Sequence, residues 1–335
     1  MEQDYSNYPT LKEANVALEK LKVAEWPVFK ENISVDDYIE SVQKIIFSEF
    51  KILPNLLTLI KPSKFPLGIF RVRELDSFTN INLFSEHSYP PINVTKFGRC
   101  NFPNYPVFYC SDNPLVALLE VVKDRDFVEK NYCISSWELI PGKEDLVFQN
   151  FLHTELDKEN FFGELSKSEK EKLNEPFKGA LSEDQKEGVL TLIKFLHDSF
   201  IKSDDYSISA SLAHRTIFSK HQLSTDILMY PSIQTRFKGV NMAINPNFVN
   251  SSLRLKRLYI IDVDEIDLEK GKFKVNFKKY ATSNRNGFNW KNINPENEDY
   301  KKLILKDFSS IMEDKSMINT FTKRDSEEFD KKTVT

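Results

Sequence analysis

Between residues 10 and 24, Leu11, Ala14, Ala17, Leu18 and Leu21 recur at helical spacing with Lys and Glu between them, which predicts an amphipathic helix. A second helix is predicted from Ser34 or Asp36, with Tyr38, Ile39, Val42, Ile45, Ile46 and Phe50 as its apolar stripe, until Pro54 interrupts it. Residues 61–66, with Pro62 and Pro66 around Lys64, read as a link. Beyond the link the period shortens to two. Ile69-Phe70-Arg71-Val72-Arg73 predicts a strand with both arginines on one face. Residues 76–98, with Pro90-Pro91 and a lone His87, read as a long loop of the kind that is often functional or mobile. A strand ending near Tyr109 and a helix opening at Pro114, capped by Asn113, come next. Residues 132–139 alternate as a strand that Pro141-Gly142 ends. Residues 150–205 are dense in Lys and Glu and read as a helical insertion, a lid or a partner-binding face, with helices near 165–173 and 182–200. Buried strands are predicted at 226–231 and 258–263, and an alternating strand at 273–277 after a turn at Lys270-Gly271. From about Lys323 the chain is charged, poor in apolar residues and predicted to be disordered.

One position breaks this pattern. From Leu115 to Val122 every residue except Glu120 is apolar. A helix that is apolar all round is normally buried, and a buried carboxylate needs a cation, donors or a wet pocket. Arg99 is the nearest candidate cation in sequence. The alternative is a glutamate at the helix edge that reaches water past the small Ala117. Arg71 and Arg73 hint at an anion site, although the pattern alone favours a strand with one solvated face. Ser232, directly after Pro231 and near Arg236, Lys238, Gly239 and Asn241, suits either a polar ligand or an ordinary turn.

Composition narrows the chemistry. The 335 residues suffice for one large domain or two small ones. With 13% aromatic and 29% charged residues, they supply both a core and a solvated surface. A net charge of −4 argues against a surface given over to nucleic acid. The acidic start Met1-Glu2-Gln3-Asp4 and the lack of any long apolar run argue against a signal peptide or membrane span, so a cytoplasmic location is expected. Cys100, Cys110 and Cys133 fit neither a disulfide framework nor a zinc knuckle, so free thiols and no metal site are expected. No two of the nine glycines form G-x-G and none precedes a Lys-Ser or Lys-Thr pair, so a nucleotide would have to be held by side chains.

Gly98-Arg99-Cys100-Asn101, then Tyr109, then Glu120, then Tyr230-Pro231-Ser232 resembles the RES-domain family, named for an arginine, a glutamate and a serine. Phe70-Arg71-Val72-Arg73 resembles the opening strand of that family, and Asn241-Met242-Ala243-Ile244 the segment after its serine. The resemblance covers residues 67–262. It implies an α+β fold with an ADP-ribosyltransferase-like core of short strands, as a split sheet or small sandwich. Residues 1–60 would be a helical lead-in, 150–205 an insertion, 263–322 a strand and helix extension, and 323–335 the tail. The implied activity is that of a bacterial toxin or defence effector that consumes NAD⁺ as substrate, without a cofactor, by phosphorolysis, hydrolysis or ADP-ribosyl transfer. Carried over by motif, Glu120, Arg99 and Tyr109 would be catalytic. Arg71, Arg73, Asn101, Ser232 and Asn241 would bind the dinucleotide. The implied partners are NAD⁺, phosphate and a helix-turn-helix antitoxin, through which alone nucleic acid would be met, and a homodimer stays open. Cys100 stands where the family often has an aromatic residue, and the segment between Glu120 and Ser232 is longer than in minimal members.

Two other readings stand beside this one. Arg215 and His221, six apart with His214 adjacent, resemble the active-site pattern of HEPN ribonucleases, where both act on a scissile phosphate. Alternatively, the fold is kept for binding a nucleotide or a partner without catalysis.

Overall fold

Thr10 and Ser34 open the two N-terminal helices. The Thr10 side chain accepts from the Glu13 backbone N–H while the Glu13 carboxylate accepts from the Thr10 N–H, a reciprocal cap at the start of α1 (Leu11–Lys22). Ser34 caps α2 (Val35–Phe50). The computed structural model describes residues 7–53, 59–60, 68–122, 126–142, 148–150, 181–218, 225–268, 272–284, 287–294 and 297–307, with scattered positions between 155 and 179. The predicted link at 61–66, most of the predicted helix at 165–173, the turn at Lys270-Gly271 and the tail from Lys323 lie outside the described residues.

The protein is α+β. Its strands are β1 (Leu59–Ile60), β2 (Ile69–Glu74), β3 (Phe108–Ser111), β4 (Asn131–Leu139), β5 (Phe148–Asn150), β6 (Ile227–Pro231), β7 (Val240–Ile244), β8 (Leu253–Asp267), β9 (Lys272–Asn284) and β10 (Gly287–Asn292). They pair in the order β1-β5-β6-β7-β3-β2-β4-β8-β9-β10, antiparallel except for β5 with β6. The expected small sandwich is replaced by this single series. The series narrows to a pinch where β2 and β3 share only the pair Phe70–Ser111. β8 runs through the predicted boundary at residue 262, so the extension adds β9 and β10 to the same sheet.

The remaining α-helices among the described residues are α3 (Phe84–His87), α4 (Pro114–Val122), α5 (Glu183–Lys202), α6 (Ser207–Ile217), α7 (Pro246–Ser252) and α8 (Glu298–Asp307). The lead-in and the insertion form one helical layer: α1 packs on α2 and α5, and α6 on α2 and α5. Ala14, Ala17, Leu21, Val42, Leu192 and Leu196 join Leu228, Tyr230 and Ala243 of the sheet in one core. Alternate residues of the same strands, Ile227, Met229, Met242 and Ile244, face a second core with Phe108 and Trp137, as a period of two requires. Phe70, Val72, Ile134, Tyr259 and Ile261 pack with α4 in a third.

Helices α1 and α5 approach closely because residue 188 is glycine. A Cβ there would lie 2.1 Å from the Pro9 carbonyl oxygen and 2.8 Å from that of Thr10. Alanine favours a helix interior by about 1 kcal/mol over glycine, but two backbone carbonyls cannot swing aside as a side chain end can. Gly188→Ala is therefore expected to lose about 1–3 kcal/mol in urea unfolding, the range for overpacking. A variant as stable as the parent would show that the Pro9–Thr10 segment yields freely.

The loop at 76–98 is pinned. His87 is buried, its Nε2 bonded to the Ile81 carbonyl at 2.8 Å and its ring set between Phe78 and Phe288. Burial lowers its pKa to about 4, so it is neutral at physiological pH. No helix among the described residues is long and apolar enough to cross a membrane.

Candidate active site

Asn113 starts α4 as its sequence predicts, its Oδ1 accepting from the Leu115 N–H at 2.9 Å, with Pro114 in the first turn. The helix buries every side chain except those of Glu120 and its neighbour Val121, both half-buried; Glu120 lines a cavity of about 470 Å³ with Ala117 and Val121. Glu120 is neither a solvated edge residue nor an unpartnered core charge. Its Oε1 accepts from Ser232 Oγ at 2.6 Å and from Asn241 Nδ2 at 2.7 Å. Its Oε2 takes no hydrogen bond among the described residues.

Both donors come from the far end of the chain, on and just before β7. Tyr230, Asn241 and Ser111 fall on one face of the sheet, since Tyr230 pairs with Asn241 and Asn241 with Ser111. The Ser111 hydroxyl donates to Asn241 Oδ1 at 2.7 Å, which fixes the end of the amide that faces Glu120. Ser232 sits in the turn from β6 to β7, where its N–H donates to the Gly239 carbonyl at 2.9 Å and its carbonyl accepts from Phe237 N–H at 2.9 Å. Arg236 and Phe237 take left-handed backbone conformations in this turn, with φ of 53° and 66°. A Cβ at Gly239 would lie 2.2 Å from Val116 Cγ2. Glycine there lets the turn come against α4 and brings Ser232 under the carboxylate.

The opposite wall is the loop before β3. Tyr109 accepts from the Cys100 N–H at 2.8 Å and donates to Asn101 Oδ1 at 2.8 Å. Burial pushes its hydroxyl well above the ordinary value, so it stays protonated and bridges the loop. Asn101 Nδ2 donates to the Lys96 carbonyl at 2.6 Å. Both side chains line the cavity, and both spend their polar atoms on holding residues 96–101 in place. Arg99, half-buried in the same wall, donates through Nη1 to the Phe200 carbonyl, and its guanidinium carbon lies 5.4 Å from the centre of the Tyr206 ring.

The two strand arginines part company. Arg71 lies at the pinch between β2 and β3: it lines the cavity, and its Nη1 donates to the Tyr109 carbonyl at 2.9 Å. Its Nε is buried without a partner. Burial, with Arg73 adding like charge, lowers its pKa to about 10, which leaves it protonated at neutral pH. Arg73 does not line this cavity, so of the two arginines Arg71 is the one that faces it. Two residues further along the strand Arg73 reaches the loop at 76–87, paired with Glu86 Oε2 at 3.1 Å and 4.2 Å from the centre of the Phe78 ring. Ser232 also departs from its expected role as a ligand contact: it is fully buried and absent from the cavity lining, so it supports Glu120 from behind.

Of the eight sequence candidates, Glu120, Arg99, Tyr109, Arg71, Asn101 and Asn241 line one cavity. Lys96, Phe97, Ser111, Tyr206 and Tyr230 line it too and were not among those candidates. Ser111 was within reach of the sequence, since it stands two residues after Tyr109 and so shares its strand face. Tyr206, one residue past the predicted insertion and just before α6, carried no signal. Arg215 is exposed on α6 and His221 lies outside the described residues, so this pair gains no site. Among the described residues, no group of three or more His, Cys, Asp and Glu is placed to hold a metal ion.

Three cations, Arg71, Lys96 and Arg99, therefore share with one carboxylate the lining of a cavity of a size usual for small-molecule sites. This suits a ligand with more than one negative charge that also presents, or develops, positive charge next to Glu120. Comparison of the chain with protein-family models, with curated proteins and with solved structures finds no match.

Proposed function

We propose that this protein is an NAD⁺-consuming enzyme with an ADP-ribosyltransferase-like core, which cleaves the nicotinamide–ribose bond as the resemblance to RES-domain toxins implies. One observation supports the reading above the others. Glu120, on a helix otherwise wholly apolar, is held by two donors at Oε1 and lines a cavity that three cations also line.

The chemistry follows from that arrangement. The C1′–N bond breaks with its electron pair leaving on nicotinamide, which departs neutral, while positive charge grows on the ribose. A fixed carboxylate beside the sugar stabilises that oxocarbenium-like state more than the ground state, which is what raises a rate. Arg99 and Arg71 supply charged donors for the pyrophosphate in place of a glycine-rich loop. Water, phosphate or a protein side chain then takes the ribose carbon and loses a proton. Toxicity on expression, relieved by a helix-turn-helix antitoxin, belongs to the same reading.

Purified protein incubated with NAD⁺, with and without inorganic phosphate, is expected to release nicotinamide. The co-product names the acceptor: ADP-ribose for water, its 1″-phosphate for phosphate, or a modified protein. If no nicotinamide appears under any of these conditions, the enzyme reading is abandoned and the site is one for binding alone.

A further inference from the structure

We propose that Tyr206 is a positioning residue that acts through Arg99, so that the helical segment between β5 and β6 is a working wall of the site. The inference rests on the reading that the cavity takes a nucleotide carrying phosphates. Three observations converge on it. Phe200 lies in the last turn of α5, the end at which helix carbonyls point out of the helix. Arg99 Nη1 donates to one of these, the Phe200 oxygen, so a cation sits at the negative end of the helix dipole. The Tyr206 ring, four residues past the helix end and just before α6, covers the guanidinium face at 5.4 Å.

The rest of the Arg99 guanidinium makes no hydrogen bond among the described residues, and Arg99 and Tyr206 both line the cavity. The helix end takes one N–H, the ring fixes the plane, and the remaining donors are left for an anion. A long arginine side chain without those two restraints would lose rotamer freedom only when ligand binds. Tyr206 and α5 remove that cost in advance. The residues that do so come from the helical layer rather than from the strands that carry Glu120 and its supports.

The test uses the full chain and two readouts: equilibrium binding of ADP, and steady-state nicotinamide release from NAD⁺. Tyr206→Leu is expected to raise the Kd for ADP and the KM for NAD⁺ about tenfold while kcat stays within about twofold, the pattern of lost binding common to ground and transition states. Tyr206→Phe, which keeps the ring face, should stay within about twofold of the parent in both. In an Arg99→Ala background Tyr206→Leu should change ADP binding no further, because its effect runs through the missing guanidinium. A leucine variant that does not fold is replaced by Tyr206→Met, read in the same way. Parent-like ADP binding by the leucine or methionine variant, a phenylalanine variant as impaired as leucine, a full effect without Arg99, or no ADP binding by the parent would each overturn the proposal. Nicotinamide release failing while ADP binding shows the expected pattern would sink the proposed reaction and leave the role of Tyr206 standing.

Discussion

Glu120→Gln is expected to slow nicotinamide release from NAD⁺ by about 10²–10³-fold, the range measured when one electrostatic stabiliser is removed from a preorganised site. The amide is nearly isosteric, and its oxygen can still accept from Ser232 and Asn241, which sit at 2.6 and 2.7 Å from the native Oε1. Binding and stability should therefore change little. The loss should fall on kcat, because in the proposed mechanism the charge acts on the oxocarbenium-like state and not on the bound dinucleotide. Glu120→Ala is the blunter variant: it leaves two buried donors unsatisfied, at a cost of about 1–3 kcal/mol each, and so mixes folding with chemistry. In the proposed toxin reading, expression of the glutamine variant should be tolerated where expression of the parent is not. A kcat within a factor of about three of the parent would remove Glu120 from the proposed mechanism.

Asp307→Ala should carry the largest stability cost of any single charge removal considered. Asp307 ends α8, and its side chain is fully buried against β8, paired with Lys256 at 2.9 Å and with Arg257, and accepting from the Tyr259 hydroxyl. Burial, with the Asp307 charge beside it, pushes the Tyr259 hydroxyl up, so it remains a donor. Deleting the carboxylate leaves two cations and a buried hydroxyl facing an empty position. Breaking one side of such a cluster typically costs about 3–5 kcal/mol, against about 0–1 kcal/mol for an exposed pair. If α8 is part of the cooperative unit, Tm falls by on the order of 10 °C. Should α8 instead detach alone, hydrogen exchange at 298–307 accelerates while Tm holds. An unchanged Tm together with unchanged exchange would contradict the role given to Asp307.

The sequence made the beginnings of elements legible where local chemistry decides them. Thr10, Ser34 and Asn113 each sit before an apolar-periodic run and each accepts the hydrogen bond its residue type suggests. It was weaker where long-range pairing decides. β8 extends from Leu253 to Asp267, well beyond the apolar core at 258–263, because Arg254 and Glu265 are paired on a ladder set by β4 and β9, with Lys256 and Asp264 carried at its register shifts. The short helix α7 was hidden by its own turn residues, Asn245, Pro246, Asn247 and Asn250. Within the site, Glu120 stood out as one charge in an apolar helix, and Ser232 as a serine in a turn. Nothing local to either shows that one hydroxyl lies under the other carboxylate. Arg71 and Arg73 were equivalent by alternation, and only the position of Glu86 and Phe78 on one side and the pinch between β2 and β3 on the other separates them.

The three cysteines are all buried, and burial pushes the Cys100 and Cys133 thiols up to about 12 and that of Cys110 higher still. None is a thiolate at neutral pH, and none is open to a reagent in solution. The folded chain should therefore be silent toward maleimides and iodoacetamide, and a cysteine placed at exposed Val23 or Val128 would be the sole labelled position. The natural sequence is in effect already a cysteine-light background, ready for site-specific fluorescence or spin labelling of the helical layer without removing a native residue.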